Sequence, residues 1–63
     1  MTVHKEKISF YAIKTFVDAH WVYRIYRRIE QPPLIIDTLY DVDSEEEADK
    51  EIEKLEKEYE RLS

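Results

Sequence analysis

The sequence predicts an α+β fold, in which a three-stranded antiparallel β-meander carries one C-terminal α-helix packed on one face (β-β-β-α). Two segments of contrasting composition predict this fold. Residues 8–42 are rich in β-branched and aromatic side chains, whereas residues 44–62 are dominated by charge and carry apolar residues at helical spacing. With 63 residues, 43% of them hydrophobic, the chain suffices for a single domain, residues 1–63.

The strands are separated by two breaks in the apolar pattern. The polar segment Asp18-Ala19-His20 interrupts the first apolar run, and Gln31-Pro32-Pro33 interrupts the second. Neither proline can donate a hydrogen bond to a sheet, so the second break is a loop. The chain is therefore expected to begin with a loose segment and continue as three strands, over residues 1–6, 8–17, 21–30 and 34–42.

The helix is predicted over residues 44–62. Ser44 followed three residues later by Glu47 is a capping box, which satisfies backbone donors at a helix start. Apolar residues then follow at spacings of four and three, namely Ala48, Ile52, Leu55, Tyr59 and Leu62. This spacing places them on one stripe, which we expect to cover one face of the sheet.

The predicted register sets Val17 opposite Val22 and Ile29 opposite Ile36. A shift of one residue in the first hairpin would place Lys14 opposite Arg24, a like-charge pair that costs stability. Lys14 and Arg27 interrupt the face that the helix covers, and we expect their stems to lie along its rim. The remainder of that helix-covered face is apolar or aromatic: Ile8, Phe10, Ala12, Phe16, Trp21, Tyr23, Ile25, Ile29, Leu34, Ile36, Tyr40 and Val42.

We call the opposite side of the sheet the outer face. The register predicts two ion pairs on it, Arg24 with Asp41 and Arg28 with Asp37. An apolar and aromatic face that the chain cannot cover favours a partner surface, most simply a sheet-on-sheet homodimer. A face half exposed to water is the alternative. The predicted members of the outer face are Tyr11, Ile13, Val17, Val22, Arg24, Tyr26, Arg28, Ile35, Asp37, Leu39 and Asp41.

Charge is divided unevenly along the chain, whose net charge is −5. Residues 1–31 hold six basic and three acidic side chains, whereas residues 32–63 hold four basic and twelve acidic ones. The acidic helix would steer a basic partner, as in an inhibitor of a nucleic-acid-handling enzyme of the kind that phages produce. Alternatively it is a solvated helix stabilised by the pairs Glu46–Lys50 and Glu53–Lys57. The predicted acidic partner surface comprises Glu45, Asp49, Glu53, Glu56 and Glu60.

Residues for catalysis or cofactor binding are scarce. The chain has no cysteine and no glycine, which excludes thiolate chemistry and glycine-rich phosphate loops. His4 and His20 are the two histidines, and neither has carboxylates at metal-ligand spacing. We therefore expect no catalytic, cofactor or metal site and no small-molecule substrate. Without a signal peptide or membrane segment, the expected location is the cytoplasm.

One resemblance bears on an alternative function. The order W-V-Y-R-I-Y-R-R from Trp21, a third strand, then S-E-E-E-A-D from Ser44, resembles the arm-site DNA-binding domain of tyrosine-type phage and transposon integrases. The resemblance implies a three-stranded sheet that enters the major groove. It would make Lys14, Arg24, Tyr26, Arg27 and Arg28 the nucleic-acid contacts. Against this alternative stands a non-catalytic protein–protein interaction module, a homodimer through the outer face with an acidic helix for a basic partner.

Overall fold

The computed structural model describes residues 7–30 and 33–62, with side chains up to residue 60. It confirms the predicted fold class: one antiparallel sheet in the order β1-β2-β3, with a C-terminal helix packed on it. The elements are β1 (Lys7–Val17), β2 (His20–Glu30), β3 (Ile35–Val42) and α1 (Glu45–Leu62). Each observed boundary lies within one residue of the predicted one, and the loose start at residues 1–6 falls outside the described residues.

The helix begins where its capping box predicts. The backbone N–H of Glu47 donates to Oγ of Ser44 at 3.1 Å, and the N–H of Ala48 donates to the Ser44 carbonyl at 3.0 Å. The Ser44 side chain therefore satisfies the Glu47 N–H, one of the donors that the first turn leaves unpaired, and the Ala48 bond is the first backbone bond of the helix. Among the described residues, no helix combines the length and the apolar character needed to cross a membrane.

The first hairpin differs from the predicted register by two residues. Val17 pairs with His20 rather than Val22, and the turn consists of Asp18 and Ala19 alone. Their φ angles are 49° and 64°, as a type I′ turn requires, and this turn matches the right-handed twist of two strands. A shift of two residues keeps each side chain of β1 and β2 on its predicted face.

Aromatic cross-strand pairs account for the observed register. It places Tyr11 opposite Tyr26 and Phe16 opposite Trp21. The first pair stacks at 5.4 Å between ring centroids, and the second meets edge to face at 5.0 Å. The predicted register would form one aromatic pair, Phe16 with Tyr23, where the observed register forms two, and aromatic cross-strand pairs stabilise a sheet.

The second hairpin contains a β-bulge that the sequence did not predict. Arg24 pairs with Asp41 as expected, but the register shifts between Ile25 and Tyr26, and Arg27 then pairs with Asp37. The predicted Arg28–Asp37 pair is therefore wrong. One extra residue reverses the alternation of side chains in the rest of β3. Ile35 and Asp37 consequently lie on the helix-covered face rather than the outer face, and Ile36 moves to the outer face.

The core between sheet and helix is thin. Among the described residues, Ile25 and Ala48 are its most buried side chains, with 0% and 1% of their surface exposed. The smallest principal extent of the Cα atoms is 11 Å, about the thickness of one helix on one sheet. The sheet therefore has one covered face and one face without a second layer.

The helix does not reach the β1–β2 turn. An 18-residue helix is about 27 Å long, whereas an 11-residue strand spans about 36 Å. Phe16 and Trp21 project beyond the helix, with 58% and 55% of their surface exposed, so the prediction that the helix covers them was wrong. The Lys14 ammonium lies 5.1 Å from the Trp21 ring centroid, within cation–π range.

Candidate interaction surface

The outer face retains most of its predicted members. Strand pairing places eight of them together: Tyr11, Ile13, Val17, Val22, Arg24, Tyr26, Arg28 and Asp41. Ile35 and Asp37 lie on the opposite face because of the bulge. Leu39 is the extra residue of that bulge and lines a cavity with Leu55 and Tyr59 of the helix.

The centre of the outer face is aromatic and apolar. The stacked rings of Tyr11 and Tyr26 lie 20° from parallel, and Val22, which is paired with Thr15 further along the same face, is buried. Ile13 on β1 and Ile36 on β3 are 50% and 51% exposed. Ordered aromatic rings flanked by exposed aliphatic side chains resemble the core of a protein interface.

The charge on the outer face is paired internally. Arg24 donates from Nε to Oδ1 of Asp41 at 2.9 Å and from Nη2 to Oδ2 at 3.2 Å, which is a bidentate geometry. The hydrogen bond from Arg24 lowers the pKa of the Asp41 carboxyl, and the same bond raises the pKa of Arg24. A partner would therefore meet a fixed neutral pair rather than a free charge.

The predicted DNA contacts do not share one surface. Lys14 and Arg27 lie on the helix-covered side of the sheet, whereas Arg24, Tyr26 and Arg28 lie on the outer face. The three guanidiniums are already paired with carboxylates: Arg24 with Asp41, Arg27 with Asp37 at 2.6 Å, and Arg28 with Glu30 at 3.4 Å.

The acidic surface of the helix is exposed along its length. Two carboxylates take part in the predicted ion pairs, Glu46 with Lys50 at 4.0 Å and Glu53 with Lys57 at 3.1 Å. The five predicted members are all solvent-exposed: Glu45, Asp49, Glu53, Glu56 and Glu60. The helix therefore exposes carboxylates to solvent, and lysines of the same helix neutralise some of them.

A cavity of about 420 Å³ lies between the helix and the sheet, with Ile8, Phe10 and Leu55 among its lining residues. At its edge Tyr40 donates its hydroxyl to Oε1 of Glu51 at 2.7 Å. Burial, followed by this bond to a carboxylate, raises the pKa of Tyr40 to about 12. Among residues 7–30 and 33–62 there is no cluster of three or more histidine, aspartate or glutamate side chains fit to hold a metal.

Sequence reasoning missed the exposed aromatic pair Phe16–Trp21. One signal could have found it. The third strand ends opposite Tyr23 and the cap at Ser44 follows at once, so the helix starts short of the turn between β1 and β2. Side chains nearer that turn are then left without a layer above them.

The fold and this surface define a two-layer β-β-β-α protein with one bare sheet face. Comparison with protein-family models, with curated proteins and with solved structures finds no match to the chain.

Proposed function

We propose that this chain is a non-catalytic protein–protein interaction module that self-associates through the outer face of its sheet. The observation that carries the proposal is the bare outer face, whose centre is aromatic and whose charges are paired within the chain. The acidic helix, on the opposite side of the sheet, stays available to a basic partner in this arrangement. The cytoplasm remains the predicted location.

Exposed aliphatic side chains on this face support a missing partner. Ile13 on β1 and Ile36 on β3 are each about half exposed, and the stacked rings of Tyr11 and Tyr26 lie on the same face. Exposed apolar patches of this kind are typical of protein interaction sites. A two-fold dimer through the outer face would bury the same patch on both copies.

Neighbouring isoleucines provide a matched test. Ile36 and Ile35 are similarly exposed but lie on opposite faces. We expect Ile36→Glu to weaken self-association by about tenfold or more, because it places a charge in an apolar contact, and Ile35→Glu to leave it unchanged. Sedimentation equilibrium at micromolar concentrations measures both, with circular dichroism as the check on folding.

Two results would contradict the outer-face proposal. One is a 7.7 kDa species at every concentration of the unaltered protein. The other is equal self-association of the two folded variants. In either case the bare face is simply exposed to water.

DNA binding through the sheet is the alternative that the sequence resemblance implies. The placement of its candidate contacts on two faces, with each arginine paired, favours self-association over it. No comparable observation favours an enzyme, and we propose no reaction for the chain.

A further inference from the structure

The outer edge of β1 is an open edge of the sheet. In the order β1-β2-β3, one side of β1 pairs with β2 and the other side pairs with no described strand. Pairing with β2 runs without interruption from Lys7 to Val17. The other edge strand, β3, is shorter and bulged. A long regular edge is a template for another strand, whereas a bulge discourages pairing.

The turn fixes which backbone groups of β1 face this edge. Val17 and His20 flank a two-residue turn, so they exchange hydrogen bonds with each other. Alternation then directs the N–H and C=O groups of the even-numbered residues of β1 away from β2. These residues are Ile8, Phe10, Ala12, Lys14 and Phe16.

Two complementary features lie along the same edge. Toward the start of β1 there is a groove of about 350 Å³ lined by Ile8, Phe10, Glu56, Tyr59 and Glu60. Toward its end the exposed rings of Phe16 and Trp21 project beyond the helix, with the Lys14 ammonium beside them. One feature is an apolar floor with an acidic rim, and the other is an apolar projection with a cation.

We propose that β1 pairs antiparallel with β1 of a second copy of this chain, about a two-fold axis at Ala12. Centring on Ala12 is the arrangement that pairs all eleven residues of the strand, Lys7 with Val17. It sets Phe16 opposite Ile8 of the second copy and Lys14 opposite Phe10. Each aromatic projection then occupies the groove of the other copy, and each Lys14 lies at its acidic rim.

This interface extends the proposed self-association to a second surface and does not depend on contacts of the outer face. The two sheets become one sheet of six strands, and the outer faces of both copies form one larger apolar surface. If the outer face also associates, two such dimers stack into an assembly of four copies.

A charge exchange tests the edge separately from the outer face. In an Ile36→Glu background, which disables the outer face, we expect dimers to persist at high micromolar concentration. Adding Lys14→Glu should weaken them by about tenfold or more, because like charges then meet at the groove rim. Adding Glu56→Lys as well should restore them. Lys50→Glu makes the same change of charge on the helix away from β1 and should have no comparable effect.

Amide hydrogen exchange supplies a direct measure of the new backbone bonds. The N–H groups of Phe10, Ala12 and Lys14 should become protected as the protein concentration rises. Fast exchange at these amides at every concentration would overturn the edge proposal, as would an Ile36→Glu protein that is always monomeric. If the unaltered protein is itself only a dimer, and that dimer survives Ile36→Glu but dissociates with Lys14→Glu, the edge is supported and the outer-face interface is overturned.

Discussion

At the scale of single residues, Tyr40 links the sheet to the helix and makes the free energy of unfolding depend on pH in the alkaline range. Its pKa is raised from 10.0 to about 12, first by burial and then by its hydrogen bond to Glu51. Between these values the folded state holds a proton that the unfolded state has lost. The contribution of Tyr40 to the free energy of unfolding is therefore fully present below pH 10 and is lost as pH rises toward 12.

We predict that Tyr40→Phe removes this part of the alkaline dependence and costs about 1 kcal/mol at neutral pH through the lost hydrogen bond. Urea denaturation from pH 8 to 12 measures both effects. Tyr23→Phe is the matched control, since it removes a phenol from the same side of the sheet. An unchanged pH slope in Tyr40→Phe would show that the Tyr40 proton does not contribute.

At the scale of elements, the turn between β1 and β2 combines a favourable shape with an unfavourable residue. A type I′ turn needs positive φ at both central positions, and Ala19 adopts a φ of 64°. A left-handed conformation costs an alanine about 1–2 kcal/mol, most of which a glycine avoids. We predict that Ala19→Gly raises the free energy of unfolding by about 0.5–1 kcal/mol, as measured by urea denaturation.

Ala12→Gly provides the comparison for this turn. Ala12 lies inside β1, where the backbone is extended and glycine only adds freedom to the unfolded chain. This variant should lose stability, by roughly 0.5–1 kcal/mol. If both variants change stability in the same direction, the strain at Ala19 is not the cause.

The accuracy of the sequence-based predictions also differs from one element to another. The strands, the helix and its cap were predictable because each leaves a local pattern: β-branched runs, polar breaks, and Ser44 three residues before Glu47. The bulge was not, because Leu34, Ile35 and Ile36 are all apolar and give no alternation from which a register slip could be detected. Arg27 and Arg28 offered equivalent charges to Asp37, so charge pairing could not decide between them.

The residues of the outer face could be predicted only where the sequence also predicted the faces of the paired strands. Its members on β1 and β2 were assigned correctly, because a register error of two residues preserves the faces. Its members on β3 beyond the bulge were not. The exposed Phe16–Trp21 pair depends on the relative lengths and placement of helix and strands, which no local pattern contains.

At the scale of the whole molecule, one helix is too short and too narrow to shield the sheet. The described residues form a single three-stranded sheet with one 18-residue helix on one of its faces. Such a flat shape leaves apolar surface on the outer face and at the β1 edge. The proposed self-association would bury more apolar surface than a thin core of this size can bury alone.

The distribution of charge over the whole molecule argues against the DNA-binding alternative. The chain carries −5 overall, its helix is acidic, and the sheet arginines are paired with carboxylates. Binding of duplex DNA derives chiefly from unpaired cations that displace counterions, so we predict no measurable binding even at about 20 mM salt. Fluorescence anisotropy with a labelled duplex measures it, and Asp37→Asn with Asp41→Asn is the informative variant. These two substitutions release Arg27 and Arg24 from their carboxylates and should produce weak, strongly salt-dependent binding. Binding by the unaltered protein that falls steeply with salt would instead restore the integrase-like alternative.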